Sequence, residues 1–105
     1  MKIIETPIFT KRLEKILDDE EYRQLQNILI LNPDSGKLIK GSGGLRKMRW
    51  SGSGRGKRGG SRVIYYWLKS DEIIFMLLIY SKNESDDLNQ NQIKILKSIV
   101  ESELK

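Results

Sequence analysis

Four cationic side chains of this sequence could share one face of a β-sheet. They are Lys47, Arg49, Arg62 and Lys82. Alternation along a β-prone run places Lys47 and Arg49 on the same face, and it places their apolar neighbours Met48 and Trp50 on the other, toward the helices. Arg62 opens the next run and Lys82 closes the last one, so both can join the cationic face, which we expect to be open to solvent. An ordinary polar face is the alternative, but such a face interleaves both signs of charge.

Lysine and arginine can together support cleavage of RNA by its own 2′-hydroxyl group. The reaction needs a proton removed from the 2′-oxygen, negative charge stabilised on the phosphoryl oxygens, and a proton delivered to the leaving 5′-oxygen. The planar guanidinium of Arg62 matches phosphate geometry and suits the second task. A lysine held among other cations gives up its proton more readily, so Lys47 or Lys82 could carry out a proton transfer. These four residues are our candidate catalytic set.

Positive charge is concentrated in one third of the chain. Residues 35–70 contain ten Lys and Arg and no carboxylate, whereas the whole chain has 19 Lys and Arg, 14 Asp and Glu, and a net charge of +5. A surface of one sign attracts polyanions, of which nucleic acid is the commonest. The alternative is a solvated loop on a basic protein. Charge segregation therefore favours a nucleic-acid partner.

Composition excludes several other kinds of site. The 105 residues contain no cysteine and no histidine, which removes thiolate chemistry and the commonest metal ligand and general base. Glu84, Asp86 and Asp87 could suggest a metal site, but acids before a helix complement its dipole, and we expect neither metal nor cofactor. The longest apolar run, Ile73 to Tyr80, is far shorter than the ~20 residues of a membrane span. We expect one cytoplasmic domain over residues 1–105, without membrane association.

The elements that must position these residues are predicted in the order β-α-α-β-β-β-α. Helix-capping residues stand at Thr6, Asp18 and Asn89. Runs rich in β-branched and aromatic residues predict strands over 45–50, 62–68 and 73–81. The fold class is thus α+β. We expect a mainly antiparallel, twisted sheet with the two N-terminal helices packed on one face and a cationic cleft on the other.

All nine glycines lie between positions 36 and 60, and many of them fall in the segment 52–60. We predict that this segment is a mobile hairpin arm that grips RNA through three cations, namely Arg55, Lys57 and Arg58. Gly54, Gly56 and Gly59 match the spacing of a dinucleotide-binding motif, but that motif must open a helix, and here a strand follows. A Walker motif fails because Arg58 follows Lys57 where Ser or Thr is needed.

Aromatic side chains near the cations could stack on unpaired bases. Alternation places Tyr66 on the face of Arg62, and Tyr80 falls on the face of Lys82, so these two tyrosines are the best candidates. Strands also use aromatics for packing, and we expect two or three of Trp50, Tyr65, Tyr66 and Trp67 to lie in the core.

Several segments closely resemble the HigB branch of the RelE/ParE toxin superfamily. They are residues 43–49, 54–66, 79–84 and 87–88, together with Glu21-Tyr22 and Asn32-Pro33. The resemblance covers essentially the whole chain, and its most specific part is the glycine-rich arm that ends in Ser-Arg-Val-Ile-Tyr-Tyr. It implies a RelE-like fold and a toxin of a bacterial type II toxin–antitoxin pair that cleaves mRNA in the A site of the 70S ribosome.

The resemblance also implies partners and residue roles. The expected antitoxin is of the HigA kind, with a helix-turn-helix domain, and its complex with the toxin binds operator DNA. Lys47 and Arg49 match the paired basic residues of RelE-like nucleases, and Arg62 and Lys82 match two further cations. Arg46 joins the arm and the two tyrosines as an expected contact to RNA or the ribosome. Where RelE has an arginine and a tyrosine, this chain has Asn83 and Asn89, so the general base is not assigned.

Two other functions remain open. A ParE-like toxin of the same fold poisons DNA gyrase, although such a protein would not need clustered phosphate ligands. A non-catalytic RNA-binding module would use the charge and the aromatics alone. Mapping of mRNA cleavage with and without ribosomes separates the three.

Overall fold

A computed structural model describes residues 1–50, 60–82 and 88–103 of the protein. Its elements are β1 (Lys2–Glu5), α1 (Pro7–Ile16), α2 (Asp19–Leu31), β2 (Lys37–Leu38), β3 (Leu45–Trp50), β4 (Ser61–Leu68), β5 (Ile73–Ser81) and α3 (Gln90–Glu103). The strands form one five-stranded sheet in the order β1-β5-β4-β3-β2. Strand β1 runs parallel to β5, and the other neighbours are antiparallel. The α+β fold class predicted from the sequence is confirmed.

Side-chain caps fix where the three helices begin. The hydroxyl of Thr6 accepts a hydrogen bond from Phe9 N at 3.1 Å, and Pro7 occupies the first turn of α1. Asp18 and Glu21 form a reciprocal capping box at the start of α2. Asn89 exchanges the same two bonds with Gln92 before α3, at 2.8 and 2.9 Å. All three predicted starts are confirmed, because the capping residues satisfy backbone N–H groups that have no partner within the helix.

One face of the sheet packs against α1 and α2. The buried core on this face contains Phe9, Leu17, Leu25, Leu29, Trp50, Val63, Tyr65, Ile74, Met76 and Ile79. Met48 packs against the same cluster, so it and Trp50 face the helices as the alternation in β3 predicts. Packing of the two N-terminal helices on one face is thereby confirmed.

Helix α3 covers part of the opposite face. Its Ile93, Leu96 and Val100 form a second core with Leu45, Ile64, Phe75, Leu77 and Tyr80 of the sheet. The apolar stripe of this helix therefore packs against the sheet on the side away from α1 and α2. Among the described residues, no helix is both long and apolar enough to cross a membrane.

Strand β1 is shorter than β5, and side chains from the first helical segment cover the carbonyl groups that β1 leaves unpaired. The β1–β5 ladder ends at Met76. Beyond it, the Thr6 hydroxyl donates to Leu77 O at 2.9 Å, and Arg12 Nε donates to Ile79 O at 2.7 Å. These bonds protect an otherwise open sheet edge and tie α1 to β5.

Replacing Arg12 with methionine should lower the free energy of unfolding by about 1 kcal/mol, because the carbonyl of Ile79 loses a donor while the aliphatic packing is retained. Chemical denaturation measures the loss. The matched control is Lys11→Met on the exposed side of the same helix, for which we expect a change within about 0.5 kcal/mol. Equal losses from both variants would show that the bond to β5 carries no specific stability.

Two tyrosines are held neutral in the folded state. Burial, a hydrogen bond to Glu5 and the charge of that carboxylate raise the pKa of Tyr22, and burial raises the pKa of Tyr65. Because their folded-state pKa lies above the unfolded value, their stabilising contribution is complete below about pH 10 and is lost as the pH rises further. Urea unfolding between pH 8 and 11 should therefore show falling stability. We expect a shallower fall in Tyr22→Phe, and an unchanged slope would contradict this origin.

Candidate nucleic-acid interface

The register of the sheet places cations directly opposite one another. Arg49 of β3 pairs with Arg62 of β4, and Lys37 of β2 pairs with Lys47 of β3. Cross-strand partners share a face, and Lys47 and Arg49 lie two residues apart on β3, so all four side chains belong to the same side of the sheet. We call Lys37, Lys47, Arg49 and Arg62 the cationic row. Lys47, Arg49 and Arg62 were predicted to share a face, and the register brings them together.

Like charges directly opposite in a sheet are unfavourable. Favourable cross-strand pairs contribute ~0.2–1 kcal/mol, and like-charged pairs oppose folding by similar amounts. The cationic row contains two such pairs in three neighbouring strands. An anion bound across each pair would offset the repulsion, which makes this face chemically suited to a phosphate backbone.

The members of the cationic row differ in their exposure to solvent. Arg62 is buried at 5% exposure, Lys47 is half-buried, and Arg49 and Lys37 are exposed. The Nη1 atom of Arg62 donates to Ser61 O at 3.4 Å. We expected this face to be open to solvent, but α3 packs on part of it and Arg62 is buried. A buried guanidinium interacts more strongly with a phosphate than an exposed one, since water screens it less.

A β-bulge sets which side chains of β5 join this face. Ile64 pairs with Leu78 and Tyr65 with Met76, so Leu77 is an extra residue in β5. Without the bulge, strict alternation would place Tyr80 on the face of Met76, toward α1 and α2. With it, Tyr80 lies directly opposite Arg62 and packs in the core beneath α3. Bulges commonly redirect side chains near functional sites, and this one turns the end of β5 toward the cationic row.

Lys82 follows β5 immediately and is exposed. Its backbone N–H donates to Gly60 O at 3.2 Å, which joins the end of β5 to the start of β4. Lys82 is a turn residue, so strand alternation no longer fixes the side on which its side chain lies. The fourth predicted cation thus stands at the end of the sheet where Arg62 enters it.

Arg46 lies on the opposite face from the cationic row. It pairs across the strands with Tyr65, and its Nη1 donates to Asp34 O at 3.3 Å and to Gly36 O at 2.7 Å. Arg46 was expected to contact RNA, but its guanidinium already binds two carbonyls of the loop before β2. In this structure Arg46 holds that loop in place.

Tyr65 anchors the same loop from the core. Its hydroxyl accepts from Gly36 N at 2.7 Å and donates to Pro33 O at 2.7 Å, and the residue is fully buried. A Cβ atom at Gly36 would lie 2.8 Å from Tyr65 Cε1, so this close approach needs glycine. The loop leads directly into Lys37, and these contacts therefore set the position of β2 and of its lysine.

The two tyrosines proposed for base stacking are packed beneath α3. Tyr66 shares the face of Arg62 as predicted, but it is half-buried against the second core, and a Cβ at Gly44 would lie 2.8 Å from its Cε2 atom. Tyr80 is only 4% exposed, so its ring offers no open surface to a base. Among the other aromatics, Trp50 and Tyr65 are buried, as expected of core residues.

Some predicted residues lie outside the described part of the chain. They are Arg55, Lys57, Arg58, Asn83, Glu84, Asp86 and Asp87. In contrast, Lys37 belongs to the row although the sequence did not single it out. It lies in a two-residue strand that is too short to show alternation. The sequence identified Lys37 only as one of the ten cations in the carboxylate-free segment 35–70.

Comparison with known proteins agrees with this architecture. The family model described as RelE toxin of the RelE/RelB toxin–antitoxin system matches residues 1–105. A double arginine-to-alanine mutant of the E. coli toxin RelE in the free state has a TM-score of 0.57 and 16% identity, covering 81% of this chain and 86% of that one.

Two solved complexes share the same fold. The intact E. coli RelBE toxin–antitoxin complex gives a TM-score of 0.56 at 15% identity over 76% of this chain and 94% of that chain. The archaeal RelE–RelB complex from Pyrococcus horikoshii OT3 gives 0.52 at 22% identity over 80% and 97%. With a five-stranded sheet of this topology, and a family model that matches along its entire length, the chain belongs to the RelE toxin family.

Proposed function

We propose that this protein is the toxin of a bacterial type II toxin–antitoxin system and that it cleaves mRNA on the ribosome. The observation that carries the proposal is the register that sets Arg62 opposite Arg49 on the face of Lys47. Three cations on one rigid sheet face can surround a single phosphodiester. The motifs that resemble HigB support placing the protein in that branch.

The proposed reaction uses the RNA as its own nucleophile. The 2′-oxygen loses its proton and attacks the adjacent phosphorus, the bond from phosphorus to the 5′-oxygen breaks, and the 5′-oxygen takes up a proton. The products are a 2′,3′-cyclic phosphate and a 5′-hydroxyl. In this proposal the N–H edge of the Arg62 guanidinium, on a residue that is only 5% exposed, donates to the phosphoryl oxygens and stabilises their charge. Lys47 and Lys82 are the candidates for the two proton transfers, and Arg49 adds positive charge at the phosphate.

Ribosome dependence follows from the weakness of the acid–base groups. General acid–base catalysis typically contributes ~10²–10⁴-fold, and this chain has no imidazole with which to reach the upper part of that range. Positioning of the mRNA must then supply more of the acceleration. A ribosome that holds the mRNA in its A site provides such positioning, and Arg55, Lys57 and Arg58 would add contacts to the RNA backbone. Action on ribosomes places the protein in the cytoplasm.

The proposed protein partner is a cognate antitoxin. Two of the structures that share this fold are toxin–antitoxin complexes. The HigB-like motifs favour an antitoxin of the HigA kind, whose helix-turn-helix domain would bind operator DNA in the complex. Neither a metal nor a cofactor is needed for the proposed reaction.

The test is to induce the protein in bacteria and map the 5′ ends of a reporter mRNA. A matched reporter with its start codon removed is present at the same level but is not translated. We expect new ends within the coding region of the translated reporter alone. Intact reporters during growth arrest would overturn the proposal, and arrest with DNA breaks at gyrase sites would assign the ParE-like function instead.

A further inference from the structure

A pocket of about 220 Å³ lies at the β2 end of the cationic row. Its lining consists of Lys37, Leu38, Ile39, Lys47, Leu88 and Ile93. Four of these six residues are aliphatic, and the other two are the lysines that the register sets opposite each other. The pocket is thus an apolar surface with two ammonium groups beside it.

The lysine pair is held by rigid neighbours. Lys37 follows Gly36, whose N–H donates to the buried Tyr65 hydroxyl, and Lys47 lies in the middle of β3. Strand β2 is also tied to β3 by its ladder and, just beyond it, by the bond from Ile39 N to Leu45 O at 2.8 Å. Because the backbone of both lysines is fixed, a ligand has only their side chains to order.

We propose that this pocket is a nucleotide subsite that holds the RNA next to the phosphate that is cut. One phosphate would bind Lys37, with Lys47 between it and the phosphate that is cut at Arg49 and Arg62, and its base would lie against Ile39 and Leu88. This inference rests on the proposed function, and it adds a positioning role for Lys37. Lys47 and Arg49 are two residues apart on one face, about 6.7 Å along the strand, a step similar to that between successive phosphates of an extended RNA.

The chemistry of the pocket favours RNA over an acidic protein segment. A nucleotide combines a flat, weakly polar ring with a phosphate one sugar away, and the pocket combines an aliphatic surface with two cations at one side. Lys47 also belongs to the row that includes Arg49 and Arg62, so a single strand can continue from the pocket to Arg62 without leaving the cationic face.

The experiment measures binding without ribosomes, using a trinucleotide whose 2′-O-methyl groups prevent cleavage. We expect Lys37→Ala to weaken its binding by about fivefold, as for loss of one partly exposed ion pair, and to lower the slope of affinity against salt by about one. The matched control is Lys40→Ala, an exposed lysine three residues later that does not line the pocket, and we expect it to bind as the unchanged protein does.

A second variant distinguishes contact with the base from contact with the phosphate. Leu88 lines the pocket and is half-buried just before α3, so Leu88→Ala is first checked for cooperative unfolding. We expect it to weaken binding of the trinucleotide about threefold but to leave binding of an abasic trinucleotide with the same phosphates unchanged, because only the apolar contact is lost. Equal effects on both probes would overturn the base-binding part.

Failure of the subsite is distinguishable from failure of the proposed function. If mRNA is cleaved on ribosomes but Lys37→Ala and Lys40→Ala bind and cleave alike, the subsite is wrong and the nuclease function stands. If mRNA is never cleaved but trinucleotide binding depends on Lys37, the subsite stands and the catalytic proposal is wrong. Loss of antitoxin affinity in Lys37→Ala, with trinucleotide binding unchanged, would assign the pocket to an acidic protein segment and overturn the subsite.

Discussion

Replacing Arg62 with alanine should slow mRNA cleavage on the ribosome by about 10²–10³-fold, the usual cost of removing one group that stabilises developing negative charge. Arg62 is buried, lies opposite Arg49 and Tyr80, and carries a guanidinium that matches phosphate oxygens. The effect should appear in the single-turnover rate constant, measured with purified toxin and ribosomes that hold a labelled mRNA. Growth arrest in cells should be relieved in parallel.

Two further variants test whether the slower cleavage by Arg62→Ala comes from the lost guanidinium. Arg62→Lys keeps the charge but not the planar fork, so we expect a rate between those of the unchanged protein and Arg62→Ala. Arg23→Ala removes an exposed arginine of α2 whose Nη1 lies 3.5 Å from Glu20 Oε2, and it should cleave normally. Because Arg62 is buried, each variant is first checked for cooperative unfolding. A folded Arg62→Ala that cleaves at the normal rate would show that the site is wrongly placed.

Replacing Tyr65 with phenylalanine should lower the free energy of unfolding by about 1–3 kcal/mol. The hydroxyl both accepts from Gly36 N and donates to Pro33 O, so its removal leaves a buried N–H and a carbonyl without their partner. The loop before β2 loses its attachment to the core, although Arg46 still binds two of its carbonyls. Urea denaturation at neutral pH measures the change.

The neighbouring tyrosine provides the control for Tyr65. Tyr66→Phe removes the same atom one position later in β4, from a half-buried side chain on the other face. We expect a change within about 0.5 kcal/mol. Similar losses from the two variants would mean that the bonds to Gly36 and Pro33 contribute no more than any tyrosine hydroxyl.

Local signals predicted much of the fold. Capping pairs such as Asp18 with Glu21 and Asn89 with Gln92 depend on residues three positions apart, so the sequence displays them directly. Alternation in β3 likewise assigned Met48 to the helices and Lys47 to the other face. The pairing of Arg49 with Arg62 was within reach because both strands lie close together in the chain.

Long-range packing determined what the sequence did not show. The bulge at Leu77 depends on how β5 meets β4, yet it decides that Tyr80 faces Arg62. Arg62 is buried although arginine usually lies at the surface, and the position of Lys37 depends on a loop held by Tyr65 from 29 residues away. Arg46 looked like another surface cation, but its guanidinium binds loop carbonyls. Contacts between residues far apart in the chain leave no pattern in the local sequence, so they could not be predicted from it.

The account is tested most directly by changing one atom of the substrate. Purified toxin is added to ribosomes that hold a labelled mRNA, either with all its 2′-hydroxyls or with a single 2′-deoxy substitution at the nucleotide before the cut. The account predicts that the unmodified mRNA is cleaved only when ribosome-bound, leaving a 2′,3′-cyclic phosphate, and that the deoxy mRNA stays intact at that position. Cleavage of the deoxy mRNA at the same site, or no cleavage of either mRNA, would contradict it.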